Sequence, residues 1–368
     1  MNIVFRVDAS LDIGNGHVIR CLTLASALQE KGASCRFVCS AHEGNLIALI
    51  QQRGFETDEL PVSKKRDELH SALGNAVHVD YDWKEDAART ARVLSNTVAD
   101  WLIVDHYALD ARWEEGLLPL CAHLMVIDDL ANRPHLCEIL LDQNLGRDRQ
   151  DYLALTPPGC TVLTGPRFAL LQPPFSRLRN SSLERSRSGP INRLLITMGG
   201  ADTENATGLV LEALRKCALP RALRVTVVMG PHAPYRDQII VLARSMPWET
   251  EVLVNVSNMA ELMAQSDLAI GAAGTTSWER CCLGLPTLLL VLADNQRGVA
   301  LAQQQLNSAI LLSDLQSLDE QLLSAISLVS APGALARMSK AAADVTDGEG
   351  ATRVIAQLDA RSNERNLK

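Results

Sequence analysis

Aromatic side chains are scarce, only 4% of the chain, so ring stacking supplies little of any core. The apolar share is nonetheless 47%, mostly Leu, Val, Ile and Ala, which suits parallel strands buried on both faces. Long apolar runs are also missing. No stretch of about 18 apolar residues occurs, so no membrane-spanning helix and no membrane insertion are expected. The apolar start at Met1–Val7 is short and is followed at once by Asp8, which reads as a strand and not as a secretion signal. Basic residues are outnumbered, 35 Lys and Arg against 43 Asp and Glu, for a net charge of -8. That balance argues against wholesale nucleic-acid binding. It does not exclude one anionic nucleotide, because a helix N-terminus can hold phosphate on an acidic protein. Cys-x-x-Cys pairs are absent, and the nine cysteines are an odd number. Buried free thiols in a reducing compartment, the cytoplasm, are the expectation.

What is present is a repeated strand–helix alternation over 368 residues, a length that suits two domains. Strands are predicted at Ile3–Val7, Arg36–Val38, Trp101–Asp105, Leu124–Asp128 and Ile139–Leu141. Helices are predicted over His17–Lys31 and Lys84–Leu94. In the first helix Val18, Cys21, Leu22, Ala25 and Leu28 recur at helical spacing. Between Gln172 and Arg193 the aliphatics give way to Pro, Ser, Asn and Arg, the composition of an exposed linker. The pattern then restarts, with strands predicted at Arg193–Met198, Arg224–Met229, Glu251–Val254, Leu268–Ile270 and Thr287–Leu292. The expected division is a Rossmann-like domain over 1–171, a linker over 172–192, a second Rossmann-like domain over 193–350 and a tail over 351–368. Two such α/β halves are expected to face each other across a cleft. Ligands in open α/β sheets bind beyond the carboxyl ends of the strands, so the loops there are the informative ones.

Four of those loops carry chemistry. After the first strand come Asp8-Ala9-Ser10 and then Ile13-Gly14-Asn15-Gly16-His17-Val18-Ile19-Arg20. Gly14 and Gly16 permit tight backbone and close ligand approach. His17 in the first helical turn meets the positive helix end, which disfavours imidazolium and leaves a neutral base able to take a proton from water. A plain helix cap is the simpler alternative. His17 and Cys21 sit at i and i+4, a spacing open to zinc, but no second pair of ligands is evident, and no metal is expected. After the second domain's first strand, Gly199-Gly200-Ala201-Asp202 can cradle a phosphate or the sugar beside it, or can be an ordinary strand–helix turn.

The third segment, Asp267–Glu279, ends Gly274-Thr275-Thr276-Ser277-Trp278-Glu279. Gly274 to Ser277 can offer amides and hydroxyls to a pyrophosphate, and Glu279 one turn on can accept ribose hydroxyls. The spacing is not G-x-G-x-x-G, so a nicotinamide site is disfavoured. The fourth, Asp294-Asn295-Gln296, follows an aliphatic strand. Asn295 can fix the sugar or the attacking water, while Asp294 can simply cap a helix. The Val79–Trp83 stretch adds Tyr81, and the adjacent Asp128-Asp129 pair resembles strand-end capping more than catalysis.

FRVDAS, IGNGHVIRC, the Gly-Gly-Ala-Asp turn and GAAGTTSWERCCLGLPTLLL…DNQ occur in one order, over most of the chain to about Val354. In this the sequence resembles the UDP-2,4-diacetamido-2,4,6-trideoxy-β-L-altropyranose hydrolases of pseudaminic acid biosynthesis, a pathway of flagellin glycosylation. That family is similar to the lipid II-forming transferase, so the resemblance implies a GT-B fold with water as acceptor. It implies His17 as catalytic base, with Tyr81 and Asn295 beside the reaction. It implies substrate contacts at Gly14, Gly16, Arg20, Gly199, Gly200, Gly274, Thr275, Thr276, Ser277, Glu279 and Gln296, and a uracil-side loop at Asn255–Met259 that includes Met259. Asn15 stands where relatives commonly carry Thr. The implied substrate is the UDP-linked diacetamido-trideoxy sugar, with no cofactor, and the chain is expected to be a monomer. Two other readings fit the same loops: a GT-B glycosyltransferase, and a nucleotide-sugar binding module without catalysis. The first needs an acceptor groove, and the second leaves His17 without a task.

Overall fold

The computed structural model describes residues 1–10, 13–62, 81–95, 98–185, 187, 189–200 and 202–366. The chain divides into two compact units: Met1–Leu170 with Ala351–Lys368, and Leu171–Gly350.

The first unit is a parallel sheet of seven strands: β1 (Asn2–Val7), β2 (Ser34–Ser40), β3 (Glu56–Leu60), β4 (Ala99–Asp105), β5 (Cys121–Ile127), β6 (Ile139–Asp142) and β7 (Thr161–Thr164). Their order is β3-β2-β1-β4-β5-β6-β7, so the winding reverses between β1 and β4. Register there pairs Val7 with Asp105. Open sheets bind ligands beyond the strand ends at such a reversal. The helices are α1 (Gly16–Glu30), α2 (Ile47–Gln52), α3 (Trp83–Leu94) and α4 (Ala111–Leu117). Alternation along β1 sends Ile3, Phe5 and Val7 to one core and Val4 to the core on the other face. Arg6 and Asp8 follow Val4 on that second face, where Arg6 pairs with Asp8 and with Asp86 of α3.

The second unit has a six-stranded parallel sheet ordered β10-β9-β8-β11-β12-β13. Its strands are β8 (Arg193–Thr197), β9 (Arg224–Met229), β10 (Glu249–Val254), β11 (Leu268–Ala272), β12 (Thr287–Leu290) and β13 (Ala309–Leu312). The helices are α5 (Pro173–Glu184), α6 (Ala206–Leu214), α7 (Arg236–Arg244), α8 (Met259–Gln265), α9 (Thr276–Cys282), α10 (Gln296–Gln305), α11 (Leu318–Val329) and α12 (Ala334–Ala343). A last helix, α13 (Gly350–Asn366), packs in the first unit. Val354, Ile355 and Leu358 enter its core, and Trp101 Nε1 donates to Ser362 Oγ at 2.9 Å.

The expected linker over 172–192 is corrected. Its first half is the helix α5, with prolines in the first turn, where their missing N–H groups cost nothing. Phe175 and Ser182 are buried. Arg179 does not point into solvent. It donates to the carbonyls of Cys282 (2.5 Å), Thr346 (2.9 Å) and Ala343 (2.8 Å), tying α5 into the second unit. All nine cysteines are free thiols, and all but Cys121 are buried. Among the described residues no single helix is long and apolar enough to cross a membrane.

Candidate active site

Nearly every strand in the middle of the first sheet ends in an aspartate: Asp8 after β1, Asp105 closing β4, Asp128 and Asp129 after β5, Asp142 closing β6. Each apolar strand thus delivers a carboxylate to the carboxyl edge. All but Asp129 are at most 1% exposed, so each needs a partner.

His17 meets one of them. It lies at the start of α1, 6% exposed, with Nδ1 2.6 Å from Asp105 Oδ1. Arg20, one turn on, donates to the same carboxylate through Nε (2.6 Å to Oδ2) and Nη2 (2.7 Å to Oδ1). Its Nη1 reaches both oxygens of Asp129, at 3.0 and 2.8 Å. Burial alone would push Asp105 up, but Arg20 and then His17 hold it well below the ordinary carboxylate range. Asp105 is therefore an anion that can only accept, and Nδ1 carries the proton. Arg20 Nη2 also lies 3.2 Å from Nδ1, but arginine cannot accept either, and the 2.6 Å contact with the carboxylate dominates. Nε2 is left as the basic nitrogen. The Tyr107 ring meets the imidazole edge-on at 4.5 Å, and its hydroxyl donates to Asp129 Oδ2 at 3.1 Å. Cys21 Sγ donates to Asp105 Oδ2 at 3.5 Å, and its thiol is pushed well up by burial and by that carboxylate.

Arg20 was expected to touch substrate. In the structure its guanidinium is buried and taken up by Asp105 and Asp129, and it shares the Asp105 carboxylate with His17. Asp105 and Tyr107, which the sequence reading did not single out, stand beside His17 and Arg20, and so does Asp129, which it had set aside as strand-end capping. The available signal was a charged residue at the end of the predicted strand Trp101–Asp105. The helix-end argument for His17 had no place for this partner.

Tyr81 belongs to a neighbouring network. Its hydroxyl donates to Asp86 Oδ2 at 2.6 Å and accepts from Arg6 Nη2 at 3.0 Å. Arg6, fully buried, also binds Asp8 at 2.7 Å and Asp86 at 2.5 Å. Burial and the Asp86 carboxylate hold the Tyr81 hydroxyl protonated despite Arg6. His106 links this network to the first, because it follows Asp105 directly. Its Nδ1 accepts from the Ala108 amide at 3.1 Å, so the neutral ring carries its proton on Nε2, 3.2 Å from Asp8 Oδ2. The ring stands 4.9 Å from that of Tyr81. The tyrosine that the structure sets against His17 is Tyr107. Val79 and Asp80, singled out with Tyr81, lie outside the described residues.

In the loop before α1, Gly14 has φ +80° and its amide donates to Ser10 O at 2.9 Å. Gly16 opens the helix and is half-buried.

In the second unit, Gly199 (φ +90°) and Gly200 are exposed after β8. A Cβ on Gly230 would fall 1.9 Å from Gly200 O, so the residue that follows β9 packs directly against this turn. Asp202 accepts from the amides of Ala206 (2.8 Å) and Thr207 (3.0 Å). The start of α6 is thus already capped by a carboxylate, and only the glycine turn itself remains for a ligand. Ala201 lies outside the described residues.

After β11, Gly274 is half-buried, Thr275 exposed, Thr276 half-buried and Ser277 buried. The Ser277 amide turns back to Gly274 O at 2.9 Å. The amides of Gly274 and Thr275 have no partner among the described residues. Ser277 was expected to meet substrate; its side chain is instead closed off at 1% exposure and accepts from Arg280 Nη2 at 3.1 Å. Glu279 is half-buried, and burial pushes its carboxyl up to about 7, with Arg280 opposing. Gln296 closes in on this turn: its Nε2 would lie 3.9 Å from a Cβ on Gly274, while its Oε1 accepts from the Leu292 amide at 3.0 Å. Asn295 is exposed at the cap of α10, and Asp294 is not the cap residue. Met259, half-buried, opens α8 after Asn255, whose φ is +54°.

Residues 193–357 match the glycosyltransferase family 28 C-terminal domain. Over 301 residues the chain is 25% identical to the UDP-2,4-diacetamido-2,4,6-trideoxy-beta-L-altropyranose hydrolase of Campylobacter jejuni, covering 82% of this chain and 95% of that protein. The resemblance read from the motifs is borne out by this relative. The chain is 26% identical to the uncharacterized protein MJ1062 of Methanocaldococcus jannaschii, covering 81% of this chain but only 57% of that protein. It is 27% identical to the spore coat polysaccharide biosynthesis protein SpsG of Bacillus subtilis, over 54% of this chain and 58% of that protein. Among solved structures, Acinetobacter baumannii MurG superposes with a TM-score of 0.69 at 14% identity, covering 98% of this chain and 99% of that one. The spinosyn rhamnosyltransferase SpnG complexed with thymidine diphosphate gives 0.58 at 18% identity, covering 96% of each. At these identities the likeness is one of fold, and the fold is GT-B.

Proposed function

We propose that this chain is an enzyme acting on a UDP-linked amino sugar, and that it hydrolyses the donor to UDP and free sugar. The observation that carries the reading is the His17–Asp105 contact at 2.6 Å, which leaves Nε2 as a base. The Campylobacter relative suggests the donor, UDP-2,4-diacetamido-2,4,6-trideoxy-β-L-altropyranose, and thereby pseudaminic acid biosynthesis. In this reading the second unit holds the nucleotide. The Gly274–Thr276 turn meets the phosphates, Glu279 accepts the ribose hydroxyls, the Asn255–Met259 loop lies on the uracil side, and Asn295 with Gln296 borders the sugar. The first unit supplies the base.

The reaction balances without a redox partner. Nε2 of His17 takes a proton from water as the water oxygen bonds to C1. The C1–O bond to the β-phosphate breaks, its electron pair leaves with UDP, and configuration at C1 inverts through an oxocarbenium-like transition state. UDP is a good leaving group, so the base carries most of the acid–base assistance, typically worth ~10²–10⁴ in rate.

The family 28 match keeps a second reading in view, transfer of the sugar to an acceptor hydroxyl. Incubating purified protein with the donor alone, and again with acceptor lipid or sugar, separates the two. A hydrolase consumes donor at the same rate in both; consumption that starts only with acceptor would make the chain a transferase.

A further inference from the structure

Arg280, on α9, is 1% exposed. Among the described residues no carboxylate lies within ion-pair distance of it. Arg6 and Arg20, equally deep, each take two carboxylates. Arg187 also lacks one, but it closes the Ser182 carbonyl in the last turn of α5, where the helix end supplies negative charge. Arg280 lies in the last turn of α9, but its guanidinium reaches back to the first turn, away from the negative helix end. Its Nη2 donates to Ala272 O at 2.7 Å and Ser277 Oγ at 3.1 Å, its Nη1 to Thr276 Oγ1 at 3.2 Å, and its Nε has no partner. Room for the guanidinium exists because residue 271 is glycine: a Cβ there would stand 2.7 Å from Nη1 and 2.7 Å from Thr197 O. Burial lowers Arg280 only to about 10, so it is a cation at neutral pH.

A buried cation without an ion-pair partner is costly, and here it sits directly behind one turn, with Glu279 only near enough to act at longer range. A guanidinium only donates, so the Thr276 hydroxyl accepts from it and its single proton is left to point elsewhere. Thr276, unlike Ser277, is not closed off from solvent.

We propose that Arg280 is a positioning residue for the diphosphate of the bound nucleotide. It holds the Gly274–Ser277 turn from the buried side and frees the Thr276 proton for a phosphoryl oxygen. It also leaves the turn with a positive charge that a phosphate balances. This rests on the reading that the turn meets the phosphates of UDP.

The test is the affinity of full-length protein for UDP, by calorimetry, and for uridine, by NMR titration, with wild type, Arg280→Met and Arg280→Lys. A charge-assisted contact predicts that Arg280→Met loses at least about tenfold for UDP while uridine affinity stays put. Arg280→Lys keeps the charge but not the fork, and should show a smaller loss confined to UDP. If Arg280→Met does not fold, Arg280→Lys decides alone by the same ratio. Unchanged UDP affinity, or equal losses for UDP and uridine, would overturn the role, the second outcome marking a purely structural arginine. If wild type binds neither ligand, the nucleotide reading itself falls, and the inference with it.

Discussion

Replacing Asp105 with Asn changes almost no volume but reverses the polarity of one hydrogen bond. Oriented toward the ring, the Asn amide nitrogen would donate to Nδ1, moving the imidazole proton to Nε2, where it blocks proton uptake from water. Asp105→Asn should therefore lose turnover by ~10²–10⁴, about as much as His17→Ala, while UDP affinity is unchanged. Turnover within a few-fold of wild type would show that Asp105 does not set the tautomer. Glu279 gives a second test at this scale. Burial raises its carboxyl to about 7, and ribose hydroxyls favour the ionised form. The advantage of wild type over Glu279→Gln in UDP affinity should shrink as pH falls from 8 to 6. An advantage that is the same at both ends would remove Glu279 from the ribose site. His17 drew attention as a histidine following Gly14 and Gly16 at a strand–helix turn. Asp105 was not, because 88 residues separate the partners and only the β1–β4 pairing joins them. For Arg20 and Ser277 the information that a local window lacks is their burial. Residue type suggests what a side chain can bind, but burial decides whether a ligand can reach it.

Among the elements, the inner strands were legible as aliphatic runs, and β3, β7 and β13 were missed. All three are edge strands. β3 reads Glu-Thr-Asp-Glu-Leu, with little apolar signal, and charge on an edge strand guards against pairing with another chain. The α5 segment was misread because its Arg and Ser content looks solvated, although Arg179 spends its donors on the carbonyls of Cys282, Ala343 and Thr346. Helix α13 tests how elements are shared between the units. Leu358 is fully buried in the first unit's core although the chain reaches it last. Leu358→Ala should cost about 2–5 kcal/mol. In urea followed by hydrogen exchange, the loss should appear at amides of β1 and β4 and leave those of β8 and β11 unaffected. Loss in the second unit's strands would place α13 there instead.

For the molecule as a whole, carboxylates set the pH dependence of stability, and they act in two directions. Asp8, Asp86, Asp105 and Asp128 are held below their ordinary range, against the pull of burial, by Arg6, Arg20 and Arg133. They contribute stability above about pH 4 that is lost as pH falls further. Asp142 and Glu279 are raised by burial to about 7, so in the folded chain they bind protons that the unfolded chain has released. Between about pH 4 and 7 their contribution grows as pH falls. Thermal midpoints should therefore rise on going from pH 8 to about 5 and collapse below 4. A midpoint that climbs steadily up to pH 8 would contradict the raised pair. The two-unit plan was legible because the strand–helix rhythm stops and restarts. The division at Leu170, and the return of α13, depend on packing that no local window carries.

The central claim is that water attacks C1 of a UDP-linked sugar with His17 as base. The direct measurement is a single incubation of the purified protein with the UDP-diacetamido-trideoxy sugar, in ¹⁸O-labelled water without acceptor, followed by NMR and mass spectrometry. The account expects one label in the free sugar at C1, none in UDP, and the inverted anomer appearing first. Label in the β-phosphate would place the attack at phosphorus. An intact donor under these conditions would contradict hydrolysis of this sugar altogether.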